Sequence, residues 1–359
     1  MSKKSEMTGK ERIKAAIKFQ EHDRVSCFPL IHWGTAGISG VTVEDYARNS
    51  DIQAKSLIDC CEMFGYDGIN AGVDVIIEAE AFGGISVFPK DSPPFLKTHP
   101  INSDSGKRDI LRKFKVLDPN TSGRMATQIE ATEKVVKRMG KEKYIMSFIM
   151  GPLNCASQLR GVQDTAMDFI LDPDYIEELL DFALKQVLEY GKCLAKTGVD
   201  CVGIGEALAS PDFNSPESIY KFVFPRWVKL INGLHEAGVN ALLHVCGDIT
   251  PIFNYGKKIG KNIFKETGAD IEDIDYQVKM EDAIKEIGIC CRGNLDPSTV
   301  LLNGSKETVI NLSKDIILKA GPTKGAILGA GCDMAYRTPK ENIAAMVEAV
   351  ETYGYYPLK

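Results

Sequence analysis

Three residues of the 359-residue chain have the types and spacing to hold a soft metal ion. They are His244 and Cys246 in the run ALLHVCGD, and Cys332 in GAILGAGCD. In an extended strand, residues i and i+2 project to the same side. An imidazole and a thiol would then stand together, with Val245 turned the other way. Nitrogen and sulfur donors suit zinc. A catalytic zinc takes three protein ligands and keeps a position open for water or substrate. Cys332, at the end of a second apolar run, is the expected third ligand, and Glu206 is a candidate fourth that substrate displaces. Spacing alone leaves another reading open, a buried His beside a buried Cys in a plain core. The other cysteines read as packing: Cys60 and Cys61 diverge on a helix, and Cys290 and Cys291 face opposite ways on a strand.

These side chains need elements to position them. Short β-rich runs alternate with amphipathic helical stretches, the pattern of an α/β protein with a parallel sheet. Candidate strands cover residues 27–33, 68–74, 144–150, 201–205, 241–246, 269–274, 289–293 and 326–330. Helices are expected at 52–64, 173–197, 216–237 and 339–353, the last with Thr338 as N-cap and Pro339 at its first position. Eight strand–helix units predict one (β/α)₈ TIM barrel over residues 1–359. A doubly wound sheet is the alternative, but no G-x-G-x-x-G or P-loop follows the first strand. Residues 83–122, with KDSPPF and THPINSDSG, form a long excursion after strand 2, read as a hairpin plus a lid.

In such a barrel, chemistry sits where the strands end. The predicted ends bring together His32 and Trp33, Asp74, Asn154, Glu206, His244 with Cys246 and Asp248, Asp275, Asn294 with Asp296, and Cys332 with Asp333.

Composition narrows the function classes. Net charge is −6, with 44% hydrophobic and 26% charged residues. No basic stripe is present to neutralise phosphates, so no nucleic-acid partner is expected. The basic residues of KKSEMTGKERIKAAIK are mixed with acids and suit a first helix. No run of about 18 apolar residues predicts a membrane span. With no signal-peptide pattern, a cytoplasmic protein with reduced thiols is expected.

Several segments together carry a family resemblance. They are TGKERIKAAIKFQEHDRVSCFPL near the start, IIEAEAFGG at 76–84, HVCGD at 244–248, GNLDP at 293–297 and GCDMAYRTPKENIAAMVEAV at 331–350. The chain resembles the uroporphyrinogen decarboxylase superfamily. Within it, the chain is similar to the zinc-dependent cobalamin methyltransferases. That branch holds the methylcobamide:coenzyme M methyltransferases and the methyltransferases of corrinoid-dependent O-demethylase systems. Decarboxylases carry an RQAGRYLPEY-type stretch whose arginines grip substrate carboxylates. Here the region reads LIHWGTAGISG, without arginine, and a tetrapyrrole with many carboxylates needs such cations. Decarboxylases also carry a histidine near the last strand, where this chain has Cys332.

The resemblance implies Zn²⁺ on His244, Cys246 and Cys332, and cobalamin carried by a separate corrinoid protein, since no D-x-H-x-x-G signature occurs in this chain. It implies methyl transfer, in an anaerobic one-carbon metabolism, involving a small-molecule methyl donor or acceptor. An aryl methyl ether, methanol, a similar compound or a thiol would fit. Asp74 matches the aspartate that decarboxylases set against pyrrole nitrogens, and with Glu206 and Asp333 it is an expected catalytic residue. His32, Trp33, Asn154, Asn294 and Tyr336 are expected to bind substrate, with Phe88 and Phe95 as further aromatic lining. Asp333 stands where coenzyme M enzymes resemble GCGI, which disfavours an anionic sulfonate. Two readings compete: a decarboxylase acting on a carboxylated tetrapyrrole, and a non-catalytic barrel that binds a corrinoid.

Overall fold

Ten strands form in the computed structural model, which describes residues 6–72 and 74–358. In chain order they are β1 (Ser26–Cys27), β2 (Gly68–Asn70), β3 (Ile85–Val87), β4 (Phe95–Thr98), β5 (Tyr144–Met150), β6 (Cys201–Gly205), β7 (Asn240–His244), β8 (Ile271–Ile274), β9 (Cys290–Leu295) and β10 (Ala326–Ala330). Eight of them make one parallel sheet in the order β1-β10-β9-β8-β7-β6-β5-β2, curled into a (β/α)₈ barrel. Helices cover the outside, so strands are buried on both faces and read as apolar runs. β5, YIMSFIM, is buried at every position.

The ring is completed between β1 and β2 by few bonds. The Asp67 amide donates to the Cys27 carbonyl at 2.7 Å, and the Cys27 amide donates to the Asp67 carboxylate at 2.8 Å. The same carboxylate pairs with Arg12 at 2.6 Å and Arg24 at 2.8 Å, all three groups being buried.

Several boundaries differ from expectation. β1 ends at Cys27, and Trp33 instead opens the helix Trp33–Ser39. β2 ends at Asn70, short of Asp74; Val73 lies outside the described residues. β7 ends at His244, so Cys246 stands beyond it. The helix expected at 216–237 contains a π-helical turn, Ile219–Val223, just before Pro225. Proline lacks the N–H that a regular helical ladder would use. The last helix is Lys340–Tyr353 with Pro339, not Thr338, at its N-cap; the buried Thr338 hydroxyl has no partner. The first helix is Gly9–Ile17, closed by a capping box of Thr8 and Glu11. The preceding Lys3, Lys4 and Ser5 lie outside the described residues.

The long excursion carries the antiparallel β3–β4 hairpin and the helix Lys107–Lys113. Phe88, just past β3, lies under the guanidinium groups of Arg48 and Arg124, 4.4 and 5.2 Å from its ring centre. Asp91 pairs with Arg337, from the loop after β10. No helix of the described residues is long and apolar enough to cross a membrane.

Candidate metal centre at the barrel mouth

His244 is the last residue of β7, and the chain turns immediately after it. Val245 is buried outward, and Gly247 adopts φ +83°, a conformation that favours glycine. The Gly247 amide donates to Asp275 at 2.7 Å, and Asp275 also accepts from the Tyr276 amide at 2.7 Å. This turn brings the Cys246 thiol back over the histidine. Cys332 arrives from the loop after β10.

Three donor atoms converge as a result. His244 Nε2 lies 3.1 Å from Cys246 Sγ and 3.9 Å from Cys332 Sγ, and the two sulfurs are 3.8 Å apart. All three lie within 4.8 Å of one another, and among the described residues they form the cluster able to hold a metal ion. The other imidazole nitrogen, Nδ1, lies 3.1 Å from Asp273 Oδ2. A carboxylate there accepts the Nδ1 proton and leaves the Nε2 lone pair for a metal. Arg292 in turn donates to Asp273 from Nε at 2.7 Å and from a terminal nitrogen at 2.6 Å.

The three groups shift one another's protonation. The hydrogen bond from Cys246 holds the Cys332 thiol well below its ordinary range. That same bond, with burial, pushes the Cys246 thiol up. Burial opposes charge on His244, yet the Cys246 sulfur and Asp273 push its pKa well above the usual value. A thiolate, a thiol and a protonated imidazole therefore share protons across short distances. Metal binding replaces such protons with a dication.

The donors open onto a cavity of about 170 Å³. Leu30, Trp33, Val75, Phe148 and Met150 give it apolar walls, and Asn154 and Asp333 add polar groups. Asp333 accepts from the His32 amide at 2.9 Å, and burial pushes its carboxyl up to about 8.

Of the residues expected at the site, Trp33, Asn154 and Asp333 line this cavity beside the three metal-ligand candidates. Others stand elsewhere. His32 is fully buried with Nδ1 3.1 Å from the Tyr46 hydroxyl, and burial pushes its pKa down to about 3. It packs beneath the mouth as a neutral ring. Tyr336 donates its hydroxyl to the Val41 carbonyl at 2.9 Å. Asn294 donates to the Val278 carbonyl at 2.5 Å. Asp74 pairs with the buried Arg124 and accepts from the Ile76 amide at 3.1 Å. Phe95 is exposed on the hairpin, and Phe88 is held by the two arginines.

Glu206 also has another task. One carboxylate oxygen accepts from the Asn154 amide at 2.9 Å, and the other accepts from the Trp227 indole at 3.0 Å. It thereby caps the helix Pro152–Arg160. Burial raises its pKa to about 7. Both its oxygens are engaged by these donors, and it is not among the three residues whose donor atoms converge.

The residues that sequence reasoning passed over are Asp273 and Arg292. Asp273 stands in register with His244 on the neighbouring strand, and Arg292 in register with Asp273. The available signal was an arginine and two acids inside otherwise apolar strand runs, IEDI and CCRGNL.

The chain's relatives agree with this architecture. The family model described as uroporphyrinogen decarboxylase (URO-D) matches residues 8–353. A methylcobamide:CoM methyltransferase (MtbA) of Methanosarcina mazei is 28% identical, covering 98% of this chain and 100% of the relative. A methylcobamide:CoM methyltransferase (MtaA) of Methanosarcina barkeri is 26% identical, covering 97% and 99%. A uroporphyrinogen decarboxylase of Rickettsia massiliae is 26% identical, covering 81% and 80%. Among solved structures, a methyltransferase from Methanosarcina mazei superposes with a TM-score of 0.84 at 24% identity, covering 97% of this chain and 99% of the other, which shows the shared fold.

Proposed function

The chain belongs to the uroporphyrinogen decarboxylase family, and from that premise we propose that it is a zinc-dependent, corrinoid-dependent methyltransferase. It moves a methyl group between a small methylated compound, or a thiol, and the cobalamin of a separate corrinoid protein. The observation that carries this reading is the convergence of His244 Nε2 and the Cys246 and Cys332 sulfurs on an apolar cavity at the barrel mouth. The relatives named as methylcobamide:CoM methyltransferases, similar along their full length, support it.

The residues fit zinc. One nitrogen and two sulfurs are a soft donor set that leaves a position open. The histidine's second nitrogen is held by a carboxylate, as metal-binding histidines usually are. When bound, zinc would supply Lewis acidity at the substrate heteroatom, lowering the pKa of a thiol or easing the departure of an oxygen or nitrogen.

The chain's own residues prepare the displacement. In one direction the heteroatom–methyl bond would break with its electron pair staying on the heteroatom, and the partner's cobalt(I) would supply the pair for the new bond to carbon. In the other direction a thiolate would take the methyl and the pair would return to the partner's cobalt. Leu30, Trp33, Phe148 and Met150 keep water from the reacting centre. At about 170 Å³ the cavity is smaller than pockets for drug-sized ligands, which begin near 300 Å³. It suits a small substrate, and the corrinoid would have to approach the mouth on its carrier. Aryl methyl ethers, methanol, methylamines and thiols all remain within that size class. The cysteines are unpaired, in keeping with a reducing cytoplasmic setting.

The decarboxylase reading finds less support. No arginine or lysine is among the described residues lining the cavity, and a substrate with several carboxylates needs such partners.

The test is a methyl-transfer assay with zinc analysis. Methylcobalamin with thiols, and cob(I)alamin with methyl ethers, methanol and methylamines, should show turnover that chelation abolishes and zinc restores. Pure protein without stoichiometric zinc, with turnover unaffected by chelators, would overturn the proposal. Zinc binding without turnover on any of these pairs would leave a corrinoid-binding barrel instead.

A further inference from the structure

Inside the barrel a line of buried polar groups leads away from the donor cluster. His244 on β7, Asp273 on β8 and Arg292 on β9 are successive register neighbours. Arg292 then reaches across to β2, donating to the Asn70 side-chain oxygen at 3.0 Å. Asn70 donates to the Pro29 carbonyl at 2.6 Å. The guanidinium also lies 4.5 Å from the centre of the Phe28 ring. Arg292 is 0% exposed and Asp273 is 1% exposed, so no bulk water competes for either group.

Burying an arginine–aspartate pair is seldom a route to stability, because desolvation offsets most of the Coulombic gain. A pair of apolar side chains would fill the same space. The position of this pair suggests what it does instead. Its carboxylate is bidentate to a guanidinium that is itself fixed by Asn70 and Phe28. That clamp sets the plane of the carboxylate, and the same carboxylate meets His244 Nδ1 at 3.1 Å.

We propose that Arg292 is a positioning residue for the metal centre. By fixing the position and plane of the Asp273 carboxylate, it keeps the Nδ1 edge of His244 engaged and aims Nε2 at the two sulfurs. The inference rests on the zinc reading above. It adds that zinc affinity is set partly from β9 and β2, by residues that touch neither metal nor substrate.

The experiment measures zinc binding, with Zn²⁺ alone as the probe, by competition against a chromogenic chelator. Unfolding of the metal-free protein is followed in parallel. Asp273→Asn offers an amide that can donate to Nδ1 and so favours the wrong tautomer; its zinc affinity should fall about 10–100-fold. Arg292→Lys keeps the charge but loses the fork, and should lie between that variant and the native protein. A single change can leave a buried charge unpaired and prevent folding. The double variant Asp273→Asn/Arg292→Met removes both charges, should fold, and should still bind zinc about 10–100-fold more weakly. Nitrogen NMR of the zinc-loaded native protein should show His244 protonated at Nδ1 and ligated through Nε2. Native zinc affinity in the double variant, or the opposite nitrogen assignment, would overturn the proposal. A purely structural pair would lower metal-free stability and leave the affinity of the folded protein unchanged. Failure of the native protein to bind zinc at all would instead remove the zinc reading, and this inference with it.

Discussion

Cys332 and Glu206 illustrate how differently two expected ligands can behave. The Cys332 sulfur is half-buried and 3.9 Å from His244 Nε2. Its hydrogen bond with Cys246 favours the thiolate, the form that binds metal. Cys332→Ser replaces it with a hydroxyl that stays protonated. Zinc affinity should fall by more than the roughly 10–100-fold typical of losing an outer partner, and methyl transfer should disappear. Chelator competition and the turnover assay read both. Glu206→Gln should do the reverse. Its side chain still fits, but one of its two acceptors becomes a donor facing the Asn154 amide or the Trp227 indole. Stability should drop by about 1–3 kcal/mol in urea unfolding while zinc affinity stays native. A collapse of zinc affinity in Glu206→Gln would restore Glu206 as a ligand.

At the scale of elements, the helix Pro152–Arg160 depends on what lies at its first turn. Glu206 fills the space beside Gly151, where an added Cβ would come within 2.0 Å of Glu206 Cγ. The carboxylate is held at both oxygens and cannot easily retreat. Gly151→Ala should therefore cost about 1–3 kcal/mol through overpacking, measured as a lower urea midpoint. Nearby, Glu78 on the helix Ile77–Ala81 accepts from the Met150 amide at 3.1 Å, just before the same turn. Burial raises its pKa from 4.5 to about 7. The folded state then holds a proton that the unfolded chain releases between those two values. Stability contributed by this group should fall as pH rises from about 4.5 to about 7 and level off above, by on the order of 3 kcal/mol. Glu78→Gln should flatten that slope in urea titrations at several pH values; an unchanged slope would assign the pH dependence to other groups.

For the whole molecule, the weak point is the seam between β1 and β2, where a single carboxylate serves two strands. Asp67 accepts from the Cys27 amide and pairs with Arg12 and Arg24. Asp67→Ala would leave buried guanidinium charge with one anion fewer, a loss of about 3–5 kcal/mol. Thermal unfolding should show it as a large fall in midpoint. A midpoint within a degree or two of native would mean that the seam is held by backbone pairing alone. The barrel mouth carries the candidate metal centre. There the excursion reaches the mouth, with Pro93 at the cavity edge and Asp91 paired to Arg337 beyond β10.

The amino-acid sequence alone determined the barrel and pointed to three side chains that the fold brings together. Eight apolar runs spaced by amphipathic helices leave little room for another parallel architecture. His244, Cys246 and Cys332 follow such runs, and donors at strand ends meet over a barrel's mouth. Alternation along a strand was the wrong reason for the His–Cys pair, because β7 ends at His244 and the Gly247 turn brings Cys246 round. Only the tertiary structure decided which polar residues face the cavity. Early termination of β1 and β2 carries His32 and Asp74 into packing and ion-pair roles. The pairing of His244 with Asp273 and Arg292 depends on the register between three strands far apart in sequence. Linear spacing does not encode that register; it emerges when the curled sheet fixes which residues stand side by side.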